Sequence, residues 1–227
     1  MGRICSSWWI GYQSCSKPQA DEVLATEAGS ALTWACLPHE GVVMSPIQAL
    51  LSRVSVPRVI EPGVTDEELD LILRAGLRAC DHGRLRPYRF ILLEGEARES
   101  LGEAMSEYLH GDLVDVSEDV IEAAKNKALR APTLLSVVFS PKEHDKVPET
   151  EQLVSAGCAA QMIVTAAHML GMGAMWRTGN ASYSGEVART LGLDEHEQVV
   201  AMIYLGRPAA ERPSAPDLDP DDFLTRL

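Results

Sequence analysis

The sequence lacks long hydrophobic runs and is poor in positive charge. No apolar stretch approaches the ~20 residues that a helix needs to span a bilayer, and the N-terminus has no basic segment followed by an unbroken apolar one. The 20 Lys and Arg residues against 33 Asp and Glu give a formal net charge of -13. A nucleic-acid-binding surface needs a basic face to gain from counterion release. We therefore expect neither a membrane nor a nucleic-acid partner, and a cytoplasmic location.

The chain also lacks the cysteine and histidine spacings of metal sites and disulfide frameworks. Its five cysteines are odd in number and form no CxxC pair, and 227 residues can bury a core without disulfides. No two of its six histidines lie at i, i+3 or i+4. We therefore expect free thiols and no metal site. His168, near the end of a predicted helix, is expected to be exposed or satisfied locally.

Regular secondary-structure patterns begin at Pro46. Apolar residues at helical spacing predict a short helix from Pro46 to Arg53, and a capping box at 65–68 precedes the apolar stripe of a second helix. Further helices are predicted at about 97–108, 118–129, 150–170 and 185–191, and strands at about 88–93, 133–139, 174–177 and 198–205. This mixture predicts one α+β (mixed α/β) domain over residues 44–227, with a loose surface tail after Pro208.

Residues 1–43 differ from the rest of the chain. They contain three of the four tryptophans, yet they show no sustained helical or alternating period. We interpret them as an N-terminal extension of uncertain status, either an accessory arm or the result of a start site assigned too early. We favour the second interpretation.

The positive charge that the chain has is concentrated in one segment. The run RAGLRACDHGRLRPYRF, residues 74–90, contains five arginines within sixteen residues, and a histidine. In an acidic protein, such clustering indicates a small anionic ligand more than a polyanion.

Four segments together resemble a known family. They are Arg53-Val54-Ser55, the arginine-rich run at 74–90, EQLVSAGCAAQ at 151–161 and GMGAMWRTG at 171–179. Their order and spacing resemble the nitroreductase-like FMN enzymes, especially the compact YdjA-type branch, and the resemblance covers roughly Ser45 to the C-terminus. It implies a nitroreductase-like fold, with a central and mostly antiparallel sheet flanked by helices. It also implies a homodimer with FMN at the interface.

The resemblance assigns cofactor-binding roles to two groups near the first two helices. Arg53 and Ser55, with Val54 between them, would hold the phosphate and ribityl end of FMN. Val54 replaces a second basic residue that is common in the family. Arg78 and His82 would donate hydrogen bonds to the cofactor, often that of the partner subunit. From the residues alone, Arg53 and Arg78 are also compatible with solvated cations at helix ends.

A third group would contact the flavin ring. The resemblance places Trp176, Arg177 and Thr178 at cofactor-contacting positions, although Trp176 is also compatible with a simple core residue. Arg86 replaces a glutamine of the family near the ring, where it would bring charge to the substrate pocket. Arg89 is expected to pair with a buried acid or a backbone carbonyl rather than with FMN.

The implied activity is that of an FMN-dependent NAD(P)H oxidoreductase. NADH or NADPH would deliver hydride and leave, and a nitroaromatic, quinone or similar small-molecule acceptor would then occupy the same pocket in a ping-pong cycle. Because the flavin performs the redox chemistry, we assign no catalytic side chain. Two alternatives stay open: a flavin-dependent dehydrogenase or oxidase of a biosynthetic intermediate, and a non-enzymatic flavin-binding protein.

Overall fold

The computed structural model describes residues 45–112 and 116–227, with the backbone alone for residues 110–112. The extension over residues 1–43 lies outside the described residues. Among the described helices, none is both long and apolar enough to cross a membrane.

A five-stranded sheet lies at the centre, and all of its strand pairs are antiparallel. The strands are β1 Val59–Ile60, β2 Tyr88–Leu93, β3 Thr133–Phe139, β4 Gly173–Arg177 and β5 Gln198–Pro208. Strand β5 pairs with β3 along one edge and with β4 along the other, while β2 pairs with β3 and β1 pairs with the end of β5. Every residue of β3 is buried, which confirms its predicted central position.

Six α-helices within the described ranges surround the sheet. They are α1 Pro46–Leu51, α2 Asp66–Gly76, α3 Glu96–Asp112, α4 Glu118–Lys125, α5 Glu149–Met169 and α6 Gly185–Thr190. The capping box predicted at the start of α2 is confirmed, since Thr65 and Glu68 exchange both hydrogen bonds. Helix α1 ends before the predicted Arg53, because Ser52 caps it.

The alternation of side chains along β5 divides the core into two layers. Val199, Met202 and Tyr204 belong to a cluster that includes residues of α3 and α6. Ala201 and Ile203 belong to a second cluster that includes residues of α2 and α5. Helices therefore cover both faces of the sheet, as expected from the resemblance.

Helix α5, with 21 residues, is the longest element described and positions the candidate site. Its middle packs closely on α2, because a Cβ added to Gly76 would lie 2.9 Å from Cγ1 of Ile163. The helix ends at Met169, and Gly171 two residues beyond it has a φ of 80°, the left-handed conformation that glycine adopts without strain. Because the helix rises 1.5 Å per residue, its two ends lie roughly 30 Å apart.

Candidate functional site

A buried histidine contacts Arg212 at the C-terminal end of α5, and the charge of Arg53 acts on the same histidine. His168 lies in the last turn of the helix and is only 6% exposed. Its Nε2 lies 3.2 Å from Oγ of Ser52, and its Nδ1 lies 3.5 Å from Nη1 of Arg212. Arg212 also donates to the backbone carbonyls of His168 (3.4 Å) and Met172 (2.9 Å). Arg53 follows Ser52 directly, which brings its charge close enough to affect His168.

This group, which we call the cationic end, has no acidic partner among the described residues. Neither Arg53 nor Arg212 lies within salt-bridge distance of a carboxylate in the part of the chain that the structure describes. Burial, followed by the charges of Arg212 and Arg53, lowers the pKa of His168 to about 4. Burial also lowers the pKa of Arg212. Two positive charges near a neutral imidazole, with no carboxylate paired to them among the described residues, are chemically suited to a dianion.

The segment after α1 lies against β4. The backbone N–H of Val56 donates to the carbonyl of Ala174 at 2.9 Å. Val54 is buried, so its side chain packs in the core, whereas Ser55 is exposed. The fold thus brings Arg53 and Ser55 to the strand that carries the third predicted group.

That third group is only partly free to contact a ligand. Trp176 is half-buried and packs against the core beneath β4, while Thr178 is exposed. The guanidinium of Arg177 donates to the carbonyl of Pro57 at 3.3 Å and lies 5.7 Å from the centre of the Tyr204 ring. These contacts show a structural role for Arg177, and its contact with a cofactor stays a prediction.

The N-terminal end of α5 carries a different arrangement, in which charges are paired. Nδ1 of His82 lies 2.6 Å from Oε2 of Glu151. The carboxylate of Asp81 accepts from the backbone N–H of Arg86 at 2.8 Å and from its guanidinium at 2.5 Å. Arg86 is therefore neutralised locally and does not bring unbalanced charge to a ligand pocket. We call this group the paired end.

A cleft of about 400 Å³ opens at the paired end. Its lining includes Cys80, His82, Thr150, Glu151 and Cys158. Both cysteines are free thiols, as expected. No group of three or more His, Cys, Asp or Glu side chains within residues 45–112 and 116–227 is arranged to hold a metal ion.

The predicted site residues are not all brought together within one chain. Glu151, beside His82, and His168, beside Arg53, are 17 positions apart on α5, or roughly 25 Å along the helix at 1.5 Å per residue. A single mononucleotide cannot span that distance. Arg53, Ser55 and β4 therefore form one group, and Arg78 and His82 lie at the opposite end.

Two residues of the cationic end were missed in the sequence. Arg212 lies in the tail that was predicted to be loose, and this prediction is wrong at Arg212, whose contacts with Met172 and His168 anchor the tail. His168 is satisfied locally, as one of the two expectations had it, but it is buried rather than exposed. The one available signal was an isolated arginine in an acidic, proline-rich tail.

The expected structural role of Arg89 is confirmed. Its guanidinium donates to both carboxylate oxygens of Glu197, at 2.8 and 2.7 Å, and to the carbonyl of Gly192 at 2.9 Å. These bonds lower the pKa of Glu197 to about 2. Arg89 is therefore committed to the scaffold and not to a ligand.

Comparisons with known proteins identify the family. The model of the Nitroreductase family matches residues 60–207. The chain is 37% identical over 184 residues to a protein of Escherichia coli (strain K12) named Putative NAD(P)H nitroreductase YdjA, a match that covers 80% of this chain and 99% of that one.

Solved structures show the same fold. A nitroreductase-like family protein from Bacillus cereus superposes with a TM-score of 0.69 at 17% identity, covering 82% of this chain and 98% of the other. A structure from Desulfovibrio desulfuricans, described as a putative nitroreductase in complex with FMN, has a TM-score of 0.59 at 26% identity and covers 81% and 98% of the two chains.

Proposed function

The chain belongs to the nitroreductase family, and on this basis we propose that it is an FMN-dependent NAD(P)H oxidoreductase. It would pass electrons from NADH or NADPH through FMN to a nitroaromatic, quinone or similar acceptor. The observation that carries the proposal is the cationic end, where the charges of Arg212 and Arg53 both act on His168 without an acidic partner in the described part of the chain.

The donor set of the cationic end fits the phosphate of FMN. A phosphate monoester is close to a dianion at neutral pH, and guanidinium groups bind such oxygens through pairs of charge-assisted hydrogen bonds. Arg53 and Arg212 supply that chemistry, and the exposed hydroxyl of Ser55 supplies a further donor. Arg53 and Arg212 would therefore hold the phosphate.

The ring of FMN would lie along β4. Trp176 and Thr178 are accessible at the end of this strand, close in sequence to the segment that packs on Arg53 and Ser55. When bound, FMN supplies the redox chemistry, since it accepts electrons from a nicotinamide and passes them to the acceptor. The side chains of this chain bind and orient, and we assign none of them a proton-transfer role on β4.

A homodimer would complete the site. Two α5 helices running antiparallel across a two-fold axis would bring Arg78 and His82 of the partner subunit to the cationic end. Apolar side chains are exposed where such a partner would pack, including Leu51 (71%) and Val154 (65%). Gly157 has open space at its Cβ position, which permits close approach of a second helix.

We further propose a catalytic cycle, domain bounds and a cellular location. The nicotinamide and the acceptor would use one pocket in turn, which gives a ping-pong cycle. Residues 44–227 would form the FMN-binding domain, with residues 1–43 an extension outside it, and the enzyme would act in the cytoplasm.

An absorbance titration tests this proposal. The protein is purified with FMN supplied throughout, freed of excess FMN, and treated anaerobically with NADH and NADPH in separate samples. We expect flavin bands that bleach with at least one nicotinamide and return when a quinone or nitroaromatic is added.

The other outcomes discriminate among the alternatives. Flavin bands that persist with both nicotinamides would contradict the reductase and favour a dehydrogenase or a flavin-binding protein. The absence of retained flavin, despite a folded protein by circular dichroism, would contradict FMN dependence.

A further inference from the structure

The contact between His82 and Glu151 fixes the position of one hydrogen atom. Nδ1 of His82 lies 2.6 Å from Oε2 of Glu151, well within hydrogen-bonding distance. An ionised carboxylate can only accept, so the hydrogen must be on Nδ1. In a neutral imidazole, Nε2 is then an acceptor.

The loop that carries His82 is held in place independently of Glu151. Asp81, whose side chain is 3% exposed, accepts from the backbone N–H groups of Leu85 (3.1 Å) and Arg86 (2.8 Å). The loop contains positive φ angles at Gly83 (75°), Arg84 (58°) and Arg86 (52°). Non-glycine residues in this region cost of order 1 kcal/mol each and persist only where the surroundings impose them. Asp81 imposes this conformation on the loop.

The start of α5 is also held in place, by the residue next to Glu151. Gln152 is 2% exposed, and its side-chain amide donates to the carbonyls of Lys142 (2.9 Å) and Val147 (3.1 Å). Its amide oxygen accepts from the backbone N–H of Lys142 at 2.9 Å. The backbones on both sides of the His82–Glu151 contact are thus fixed, and the two side chains meet between them.

We propose that Glu151 is a positioning residue that holds the hydrogen of His82 on Nδ1, so that Nε2 is the ring atom offered to a ligand. His82 would then accept a hydrogen bond from a ligand hydroxyl or N–H group, instead of donating one as the resemblance implied. A neutral imidazole with the opposite hydrogen placement would present a donor. Glu151 therefore selects the kind of ligand atom that His82 can recognise.

Stability does not account for the pair. The His82 and Glu151 side chains are 61% and 52% exposed, and pairs in solvent contribute little to folding. They do, however, border the cleft of about 400 Å³ at the paired end. The hydrogen placement follows from the contact itself, whereas its use on a flavin ligand, such as the ribityl hydroxyls, rests on the proposed function.

Nitrogen NMR on the FMN-loaded protein tests the placement directly. The protein is labelled with ¹⁵N-histidine, and long-range ¹H–¹⁵N correlations are recorded at increasing pH until the histidine signals no longer change, so that the neutral imidazole is observed. The His82 signals are identified by their loss in His82→Gln. We expect the pattern with hydrogen on Nδ1, and the pattern with hydrogen on Nε2 would overturn the proposal.

Three variants separate positioning from a general charge effect. Glu151→Ala should shift His82 toward the Nε2–H form, and Glu151→Gln should retain much of the Nδ1–H form, because the amide oxygen still accepts. Glu149→Ala removes an exposed carboxylate from the same first turn of α5 and should leave the pattern unchanged. An unchanged His82 pattern in Glu151→Ala would also overturn the proposal.

A double-mutant cycle on FMN affinity tests the functional part. Glu151→Ala should weaken FMN binding no more than His82→Ala, and the double variant should bind FMN as His82→Ala does, within about twofold. Fully additive losses would show that Glu151 acts independently and would contradict positioning. If His82→Ala leaves FMN affinity unchanged, the flavin role of His82 in the proposed function fails, while the NMR result still decides the hydrogen placement.

Discussion

The cationic end and the paired end lie at opposite ends of one helix, and their charges are balanced differently. At the paired end, His82 contacts Glu151 and Arg86 contacts Asp81. At the cationic end, the charges of Arg212 and Arg53 act on a buried His168, and no carboxylate among the described residues forms an ion pair with either arginine. The helix macrodipole accounts for the sign of the charges at each end, since it favours acids at the first turn and cations at the last.

The macrodipole does not account for two arginines at this end. Backbone N–H groups of residues 170–172 and the guanidinium of Arg212 already bond the carbonyls near the end of α5, so helix capping needs no second guanidinium. Burial, and then the charges of Arg212 and Arg53, lower the pKa of His168, and the two positive charges have no carboxylate partner among the described residues. The difference between the ends is that the carboxylates of Glu151 and Asp81 balance the charges of the paired end, whereas Arg53 and Arg212 have no such partner among the described residues, which supports the proposed anion site at the cationic end.

The largest expected effect is the pH dependence of the cofactor-free protein. The pKa of His168 is about 4 in the folded state, against 6.5 ordinarily. Between these values the unfolded chain binds more protons, so the free energy of unfolding should fall as pH drops from about 6.5 to about 4. The loss is on the order of 3 kcal/mol, and urea titrations across this range would measure it.

The matched variants for this experiment are two histidine substitutions. His168→Gln should remove most of the slope between about pH 6.5 and 4. His196→Gln, which changes an exposed histidine, should leave the slope intact. Protonation of Glu197, whose pKa is about 2 against an ordinary 4.5, lowers the free energy of unfolding as pH falls from about 4.5 to about 2. The contributions of His168 and Glu197 therefore fall in largely different pH ranges. A slope unaffected by His168→Gln would contradict the account of the cationic end.

The next effect is on FMN affinity. Arg53→Ala and Arg212→Ala should each raise the Kd for FMN roughly 10- to 100-fold, because a charge-assisted contact is worth about 1.5–3 kcal/mol. Fluorescence titration measures this Kd. Arg189→Ala removes an exposed arginine on α6 and serves as the control for net charge. Equal losses of FMN affinity in all three variants would show that only the net charge of the protein matters. That result would contradict a specific phosphate site at the cationic end.

A smaller effect is expected at the paired end. Asp81→Asn should lower the free energy of unfolding by about 1 kcal/mol, because the amide keeps one acceptor but loses the charge that faces Arg86. Asp70→Asn, at an exposed helix pair, is the control. Chemical denaturation at neutral pH gives both values. An Asp81→Asn variant as stable as wild type would contradict the view that the Asp81–Arg86 contact stabilises this end.

Much of the fold could be predicted because its patterns are local. Strands β2 and β3 have the predicted bounds, since each is a compact apolar run rich in β-branched and aromatic residues. Strand β1 has only two residues and carries no pattern, so it was not predicted. It exists because β5 continues past its predicted end at Leu205 to Pro208 and offers a pairing edge.

The site was less accessible to sequence reasoning, for a physical reason. Arg53 and His82 could be selected from their motifs, but their separation along α5 depends on the packing of three helices. Arg212 joins the cationic end only because the tail folds back onto Met172, a contact that no local pattern indicates. The burial of His168 likewise depends on tertiary contacts with Ser52 and Arg212.

The most direct test of the central claim compares FMN with riboflavin, which lacks the phosphate. Cofactor-free protein is titrated with each, followed by flavin fluorescence, in wild type and in the Arg53→Ala/Arg212→Ala double variant. We expect FMN to bind wild type at least about 100-fold more tightly than riboflavin, from two charge-assisted contacts, and the difference to collapse in the double variant. Equal affinities of wild type for FMN and riboflavin would contradict the claim that the cationic end holds the phosphate.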